Sequence, residues 1–277
     1  MSGSPTARRR RLAIELKKLR EEHRLTCNQV GKALDWSGSK VNRLETGQGR
    51  VQPSDVDALC RFYGTSDELR ELLKDLAKQS KMRGWWHAYG NAIPGWFSVY
   101  VGLEQAASGL RTYECEFVPG LLQTVDYARE LHLATPPSDA DEVERLIGVR
   151  LERQELLTST TPPDLWAIVH ESVLRHVIGS PKVMRGQFEL LLKMGELKNI
   201  TIQVLPFDAG SYPAAGAFTI LEFPEQGDPD VVYRDGLTDA VYLECPEDIA
   251  RYTKAFDNLR AMSLSPQRSA DLIRQAK

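Results

Sequence analysis

Leu12, Leu16 and Leu19 recur at helical spacing through an otherwise charged segment that ends near His23, the apolar stripe of an amphipathic helix. Val30, Ala33 and Leu34 form a second short stripe behind Thr26, and Val41 and Leu44 a third behind Ser37. Threonine and serine suit the N-cap, where a side-chain oxygen takes up an unpaired backbone N–H. Gly47 and Gly49 end the third segment. Pro53 and Ser54 open a fourth, with Val56, Leu59 and Phe62 facing inward and Gly64 stopping it, and a fifth is predicted over 67–81. The pattern over 8–83 therefore predicts an all-α domain of five short helices, preceded by a small, polar and disordered tail over 1–6.

The pattern changes at Gly84. Trp85, Trp86, Tyr89, Trp96, Phe97 and Tyr100 crowd into a stretch punctuated by Gly90, Pro94 and Gly95. Free linkers are polar and poor in aromatics, so this junction is expected to pack. Its simplest role is a core or a domain interface. Trp85, Trp86, Tyr89, Trp96 and Tyr100 are also a candidate ligand pocket, because small-molecule sites are concave with aromatic walls. Further along, helical patterns cover 97–111, 124–133, 139–158, 181–196 and 247–261, and strand-like runs cover 113–118, 165–169, 200–205, 218–223, 231–233 and 241–243. The last four runs have no helix between them, which predicts antiparallel pairing. Residues 84–277 are thus expected to form an α+β domain with a mainly antiparallel sheet, serving regulation and dimerisation.

Charge divides the chain at the same place. Residues 1–83 carry 18 Lys and Arg against 11 Asp and Glu, a balance of +7, and residues 84–277 carry 17 against 27, a balance of −10. A basic end on an acidic body suits one end to a polyanion and keeps the other away from it. Cys27, Cys60, Cys115 and Cys245 are far apart, with neither disulfide-framework nor zinc spacing. Arg8, Arg9, Arg10 and Arg11 are followed by Glu15, Lys17 and Lys18 rather than by the apolar core of a signal peptide. No apolar run approaches the roughly 18 residues that cross a bilayer. The expected setting is a reducing cytoplasm, away from membranes and without a metal or cofactor.

Two short helices sharing a tight connection, 25–47, hold the candidate chemistry. On a helical wheel Val41 and Leu44 define an inward direction, and Ser39, Asn42 and Arg43 fall opposite. A helix fits the DNA major groove, where arginine can grip guanine with two bonds and serine or asparagine can reach base edges. Ser39, Asn42 and Arg43 are the candidate base contacts. Helix starts attract phosphate through unpaired N–H groups and the positive dipole end. Thr26, Asn28, Gln29 and Ser37 sit at such starts, and Lys40, Arg50 and the four arginines at 8–11 add sequence-independent attraction.

This stretch resembles the XRE (Cro/repressor-type) helix-turn-helix family in its helix lengths, its turn and its Val-x-x-Leu-Glu-x-Gly ending at Val41, Leu44, Glu45 and Gly47. The resemblance implies base reading by Ser39 and Arg43, and phosphate gripping at 26–28. Two positions depart from the family. Gly31 stands where alanine is usual, which weakens the helix by about 1 kcal/mol and loosens the turn, and Gly38 removes a base contact. Val118-Pro119-Gly120-Leu121-Leu122-Gln123-Thr124, Tyr127-Ala128, 150–156, His170-Glu171-Ser172-Val173-Leu174-Arg175, Val204-Leu205-Pro206 and Leu264-Ser265-Pro266 resemble the C-terminal domain of actinobacterial XRE regulators of the WhiJ-like, antitoxin-like group. That resemblance implies control of development or secondary metabolism, with a small acidic partner protein encoded by a neighbouring gene and no established ligand.

Together these readings predict a transcriptional regulator, expected to be a repressor, that binds double-stranded DNA at an inverted repeat as a homodimer. A partner protein or a small-molecule effector would control it through the C-terminal domain. An antitoxin-like protein whose DNA binding serves autoregulation is the alternative. Catalysis is not expected: His170-Glu171 is followed by His176, six residues on, rather than by the four-residue spacing of a zinc protease, and no nucleophile elbow, P-loop or dinucleotide fingerprint occurs. Glu114 and Glu116 alternate on the first strand-like run and are expected on a solvated face.

Overall fold

The computed structural model describes residues 4–49, 51–90, 92–134, 139–213, 216–224 and 228–277. The chain divides into two compact units, one ending at His87 and the other starting at Ala88.

In the first unit the helices are α1 (Pro5–Glu22), α2 (Cys27–Ala33), α3 (Gly38–Glu45), α4 (Pro53–Phe62) and α5 (Asp67–Gln79). The first begins earlier than expected, because Ser4 caps it, accepting from the Thr6 N–H at 3.2 Å, and Pro5 occupies the first turn, where its missing donor is harmless. Leu12, Leu16, Val30, Val41, Leu44, Val56, Leu59 and Leu73 meet in one core. Phe62, expected inside, is exposed, and the neighbouring Tyr63 is buried instead.

An ion pair locks this core from one side. Arg20 on α1 donates from Nε to both oxygens of Glu45 at 2.9 Å, and from Nη1 to the Leu25 carbonyl at 2.8 Å. Burial pushes the Glu45 carboxyl above its ordinary range despite the Arg20 bonds. Burial also opposes the Arg20 charge, but Glu45 outweighs it and the net shift is upward. The last turn of α3 is therefore fastened to α1 and to the segment leading into α2.

The second unit carries α6 (Gly95–Glu104), β1 (Gly109–Glu114), α7 (Val125–Leu133), α8 (Ala140–Gln154), β2 (Asp164–His170), α9 (Glu171–Arg175) and α10 (Pro181–Met194). Then come β3 (Ile200–Leu205), β4 (Phe218–Glu222), β5 (Val231–Asp235), β6 (Ala240–Leu243), α11 (Pro246–Met262) and α12 (Pro266–Ala276). The six strands form one sheet in the order β3-β2-β1-β4-β5-β6.

The expected mainly antiparallel sheet is corrected to a mixed one. β1, β2 and β3 run parallel, whereas β4, β5 and β6 continue antiparallel from the other side of β1. The physical reason lies in the connections: parallel neighbours need long crossovers, and the pairs α7–α8 and α9–α10 provide them. β1 itself starts four residues earlier than expected, because α6 ends at Glu104 instead of reaching 111.

Alternate strand residues enter two different cores. Leu110, Ala167, Val204, Leu221 and Tyr233 pack beneath Leu103, Tyr127, Phe188 and Ile273. Tyr113, Ile168, Leu205, Ile220 and Val232 pack against Phe256 and Leu259 of α11. Both faces of the sheet are thus covered, and Glu114, expected on a solvated face, is half-buried. Glu116 lies beyond the strand and is exposed.

On the first of these faces lies a second ion pair, more buried than Arg20–Glu45. Arg153 on α8 donates from Nε and Nη2 to the two oxygens of Glu104, both at 2.7 Å, and its guanidinium lies over the rings of Phe97 at 5.1 Å and Tyr100 at 5.4 Å. Burial opposes the Arg153 charge, but Glu104 outweighs it and raises the group above its ordinary range.

Candidate nucleic-acid interface

Each helix of the helix-turn-helix pair starts on its own cap. Thr26 Oγ1 accepts from the Gln29 N–H at 3.2 Å while Gln29 Oε1 accepts from the Thr26 N–H at 2.8 Å, a reciprocal capping box. Ser37 Oγ accepts from the Lys40 N–H at 3.1 Å. The oxygens of Thr26, Gln29 and Ser37 are thus committed to building the helix starts, and the first backbone N–H groups of each helix are left for an outside acceptor.

The turn between the two helices closes over Gly31. Trp36 N–H donates to the Gly31 carbonyl at 2.8 Å, and a Cβ on Gly31 would stand 2.8 Å from the Trp36 carbonyl oxygen, 2.9 Å from Gly38 N and 3.0 Å from the Ser37 carbonyl carbon. The expected loosening is therefore reversed: glycine permits a closer approach of the two helices. Helix propensity alone favours alanine here by about 1 kcal/mol, but three backbone atoms would have to shift, and overpacking of this kind costs about 1–3 kcal/mol. Gly31→Ala is accordingly expected to lower stability by about 1 kcal/mol, seen as a lower urea midpoint at unchanged slope. A higher midpoint would show that the turn yields freely. Gly38 is likewise covered, since a Cβ there would collide with the Asn28 carboxamide.

On α3 the buried side is Val41, Leu44 and Glu45, and Ser39, Asn42 and Arg43 are exposed. These three candidate base contacts share one outward face. The Arg43 side chain has no hydrogen bond or ion pair within the protein among the described residues. Lys40, by contrast, is engaged: its Nζ bonds Asp55 Oδ1 of α4 at 2.7 Å and sits 3.6 Å from the centre of the Trp36 ring. Lys40 thus ties α3 to α4 and the turn.

The arginine run occupies the first two turns of α1. Arg9 is exposed and donates from Nη2 to the Ser80 carbonyl at 3.3 Å, while Arg8, Arg10 and Arg11 are half-buried and already have partners. Arg50 lies outside the described residues. Of the aromatic positions, Trp85 and Trp86 belong to the first unit and meet edge to face at 5.9 Å. Tyr89, Trp96 and Tyr100 belong to the second. There Tyr89 donates to Glu152 at 2.7 Å, and Phe97, one residue after Trp96, stacks on Tyr100 at 5.6 Å.

The C-terminal histidines have local partners. His170 Nδ1 accepts from the Ser172 N–H at 3.1 Å and so caps α9. Ser172 Oγ lies 2.7 Å from both His170 Nδ1 and the Cys115 carbonyl oxygen, to which it donates. His176 packs 5.9 Å from the Phe117 ring. Among the described residues no helix is long and apolar enough to cross a membrane.

Sequence reading missed Arg20 and Glu45 as a pair, although Glu45 was visible in the motif ending. It also missed the pairing of Glu104 with Arg153 and of Gln123 with Arg150, although Gln123 and 150–156 lie in the quoted motifs and Arg150 and Arg153 are polar residues on the inward side of α8.

Comparison with protein families agrees with the division into two units. A model described as a helix-turn-helix domain matches residues 11–73, and one described as Domain of unknown function (DUF5753) matches residues 97–275. No curated protein and no solved structure matches the chain. With well over half its length inside the second match, the chain belongs to the DUF5753 family and bears a helix-turn-helix domain ahead of it.

Proposed function

We propose that this protein is a sequence-specific DNA-binding transcriptional regulator, acting as a repressor, in which α3 enters the major groove. The observation that carries this reading is the outward face of Ser39, Asn42 and Arg43, with the Arg43 side chain making no hydrogen bond or ion pair among the described residues. The protein works as a cytoplasmic homodimer on an inverted repeat, whose half-sites stand about 10 base pairs apart or a multiple of that. The second unit provides dimerisation and receives a small effector or a small acidic partner protein. It serves control rather than catalysis. The resemblance to developmental and secondary-metabolism regulators supports the same assignment.

The experiment pairs thermal melting with binding to operators altered one base at a time. Arg43→Ala is expected to weaken the cognate complex by about 1–3 kcal/mol, the worth of a two-bond arginine–guanine contact. Its melting should stay within about 0.5 kcal/mol of the parent, as exposed helix positions allow. Relaxed preference at one position in each of two half-sites is the signature of a dimer. Relaxation at a single position would argue for a monomer, and an unchanged ranking of all operators would remove Arg43 from base reading.

A further inference from the structure

The segment Val118-Pro119-Gly120-Leu121-Leu122-Gln123-Thr124 belongs to the second unit, outside the helix-turn-helix match, and it closes around Arg150. Gln123 Oε1 accepts from Arg150 Nη1 at 2.8 Å while its Nε2 donates to the Val118 carbonyl at 2.7 Å. Gln154 and Gln187 hold the same loop by donating to the carbonyls of Gln123 and Leu122, each at 2.6 Å. A Cβ on Gly120 would stand 2.7 Å from Arg150 Nη1, so the guanidinium occupies the space that any other residue at 120 would fill. The loop is built to receive this side chain.

Arg150 and Arg153 lie three apart on α8, hence on one face, but they are treated differently. Arg153 is paired with Glu104 through two bonds. Arg150 uses one of its five N–H groups, on a neutral amide, and no carboxylate lies within ion-pair distance of it among the described residues. Burial and the Arg153 charge push it down to about 9, so it stays charged at neutral pH. Two carboxyls act on it: Glu104, the stronger, is bonded to Arg153 through both oxygens, and Glu114 at the end of β1 is pushed up to about 8 by burial and by Asp235 and Glu116. Glu114 is therefore mostly neutral at pH 7. His132 on α7, which also feels Arg150, is held neutral by burial at about 4. Asp235 and Glu116 are exposed, where water screens them.

The crevice therefore holds one uncompensated positive charge. It lies by the carboxyl end of β1, which sits inside the sheet between β2 and β4. A half-buried guanidinium without a counter-ion destabilises the fold that contains it, and an arriving anion relieves that penalty.

We propose that this crevice binds a small organic anion, a carboxylate or a phosphate ester, held by the unbonded edge of the Arg150 guanidinium. The proposal deepens the reading of the second unit as the seat of effector control, but it concerns binding alone, so it can fail while DNA reading stands.

The test uses the full chain with benzoate, inorganic phosphate and the neutral benzamide, each at millimolar concentration and matched ionic strength. Arginine side-chain nitrogen–proton NMR and thermal melting are read together. Benzoate or phosphate, but not benzamide, should shift the Arg150 resonance and raise Tm by about 2 °C or more. Response to benzoate alone identifies a carboxylate, and to phosphate alone a phosphoryl group. Arg150→Met should abolish the response while melting no lower than the parent in the absence of probe, because it removes an unpaired charge. Arg150→Lys, which keeps the charge but not the planar fork, should respond weakly. The proposal is overturned if no anion shifts the Arg150 resonance, if Arg150→Met responds like the parent, or if Arg150→Met melts lower, since arginine would then be a structural prop for the loop.

Discussion

Glu45→Ala is expected to lower the stability of the helix-turn-helix unit by about 3 kcal/mol. The substitution leaves the Arg20 guanidinium mostly enclosed, with the Leu25 carbonyl and the exposed Glu21 carboxylate, 3.6 Å from Nη2, as its remaining partners, and the weakened compensation of a buried charge is the larger part of the loss. Because the pair fastens α3 to α1, DNA affinity should fall with stability, unlike in Arg43→Ala, where affinity falls alone. For a unit of this size the loss corresponds to a drop of roughly 12 °C or more in its calorimetric transition. The double variant Arg20→Met, Glu45→Leu should recover most of it, since an apolar pair of similar volume often replaces a buried ion pair without penalty. A single-variant loss below about 1 kcal/mol would place the pair among surface bridges and remove the clamp from this account.

Glu104→Ala should be more damaging still, by about 4 kcal/mol within the second unit. Both partners of that pair are buried, at 1% exposure for Glu104 and 6% for Arg153. Without Glu104 the two guanidinium groups of Arg153 and Arg150 face one another's charge with no carboxylate within ion-pair distance among the described residues, and the rings of Phe97 and Tyr100 offset only part of this. The calorimetric transition of the second unit should fall by roughly 8–16 °C while that of the first stays in place. An equal fall in both would mean that the units do not melt separately.

The outward face of α3 was legible in the sequence because it follows from local geometry. Once Val41 and Leu44 are inward, Ser39, Asn42 and Arg43 must be outward, and no distant residue can alter that. Glu45 was legible only as a motif letter, because its partner is Arg20, which the intervening turns bring to it. The same limit explains the sheet. The run 200–205 was recognised as a strand, but strand character does not name the neighbour. The helix expected over 181–196, between the runs at 165–169 and 200–205, was the mark of a parallel crossover. In the first strand-like run, apolar residues on both sides of Gly109 kept the helical pattern going past the true end of α6. The Arg150 crevice had a local signal that went unread: the inward stripe of α8 runs Val143, Ile147, Arg150 and Gln154, and a charge placed where leucine would suffice marks a buried polar site.

The position of β1 between β2 and β4 bears on the order in which the chain becomes structured. The contacts of the first unit join helices close in sequence, so it can fold as soon as it has left the ribosome. β1 cannot. Its Thr112 hydroxyl accepts from Thr219, 107 residues later, so the middle of the sheet waits for almost the whole of the second unit to be made. During that interval one edge of β1 and the apolar underside of α6 have no native cover. Nascent chains should therefore carry a finished helix-turn-helix unit while the second unit is still unfinished, and chaperone demand should fall on the second unit alone.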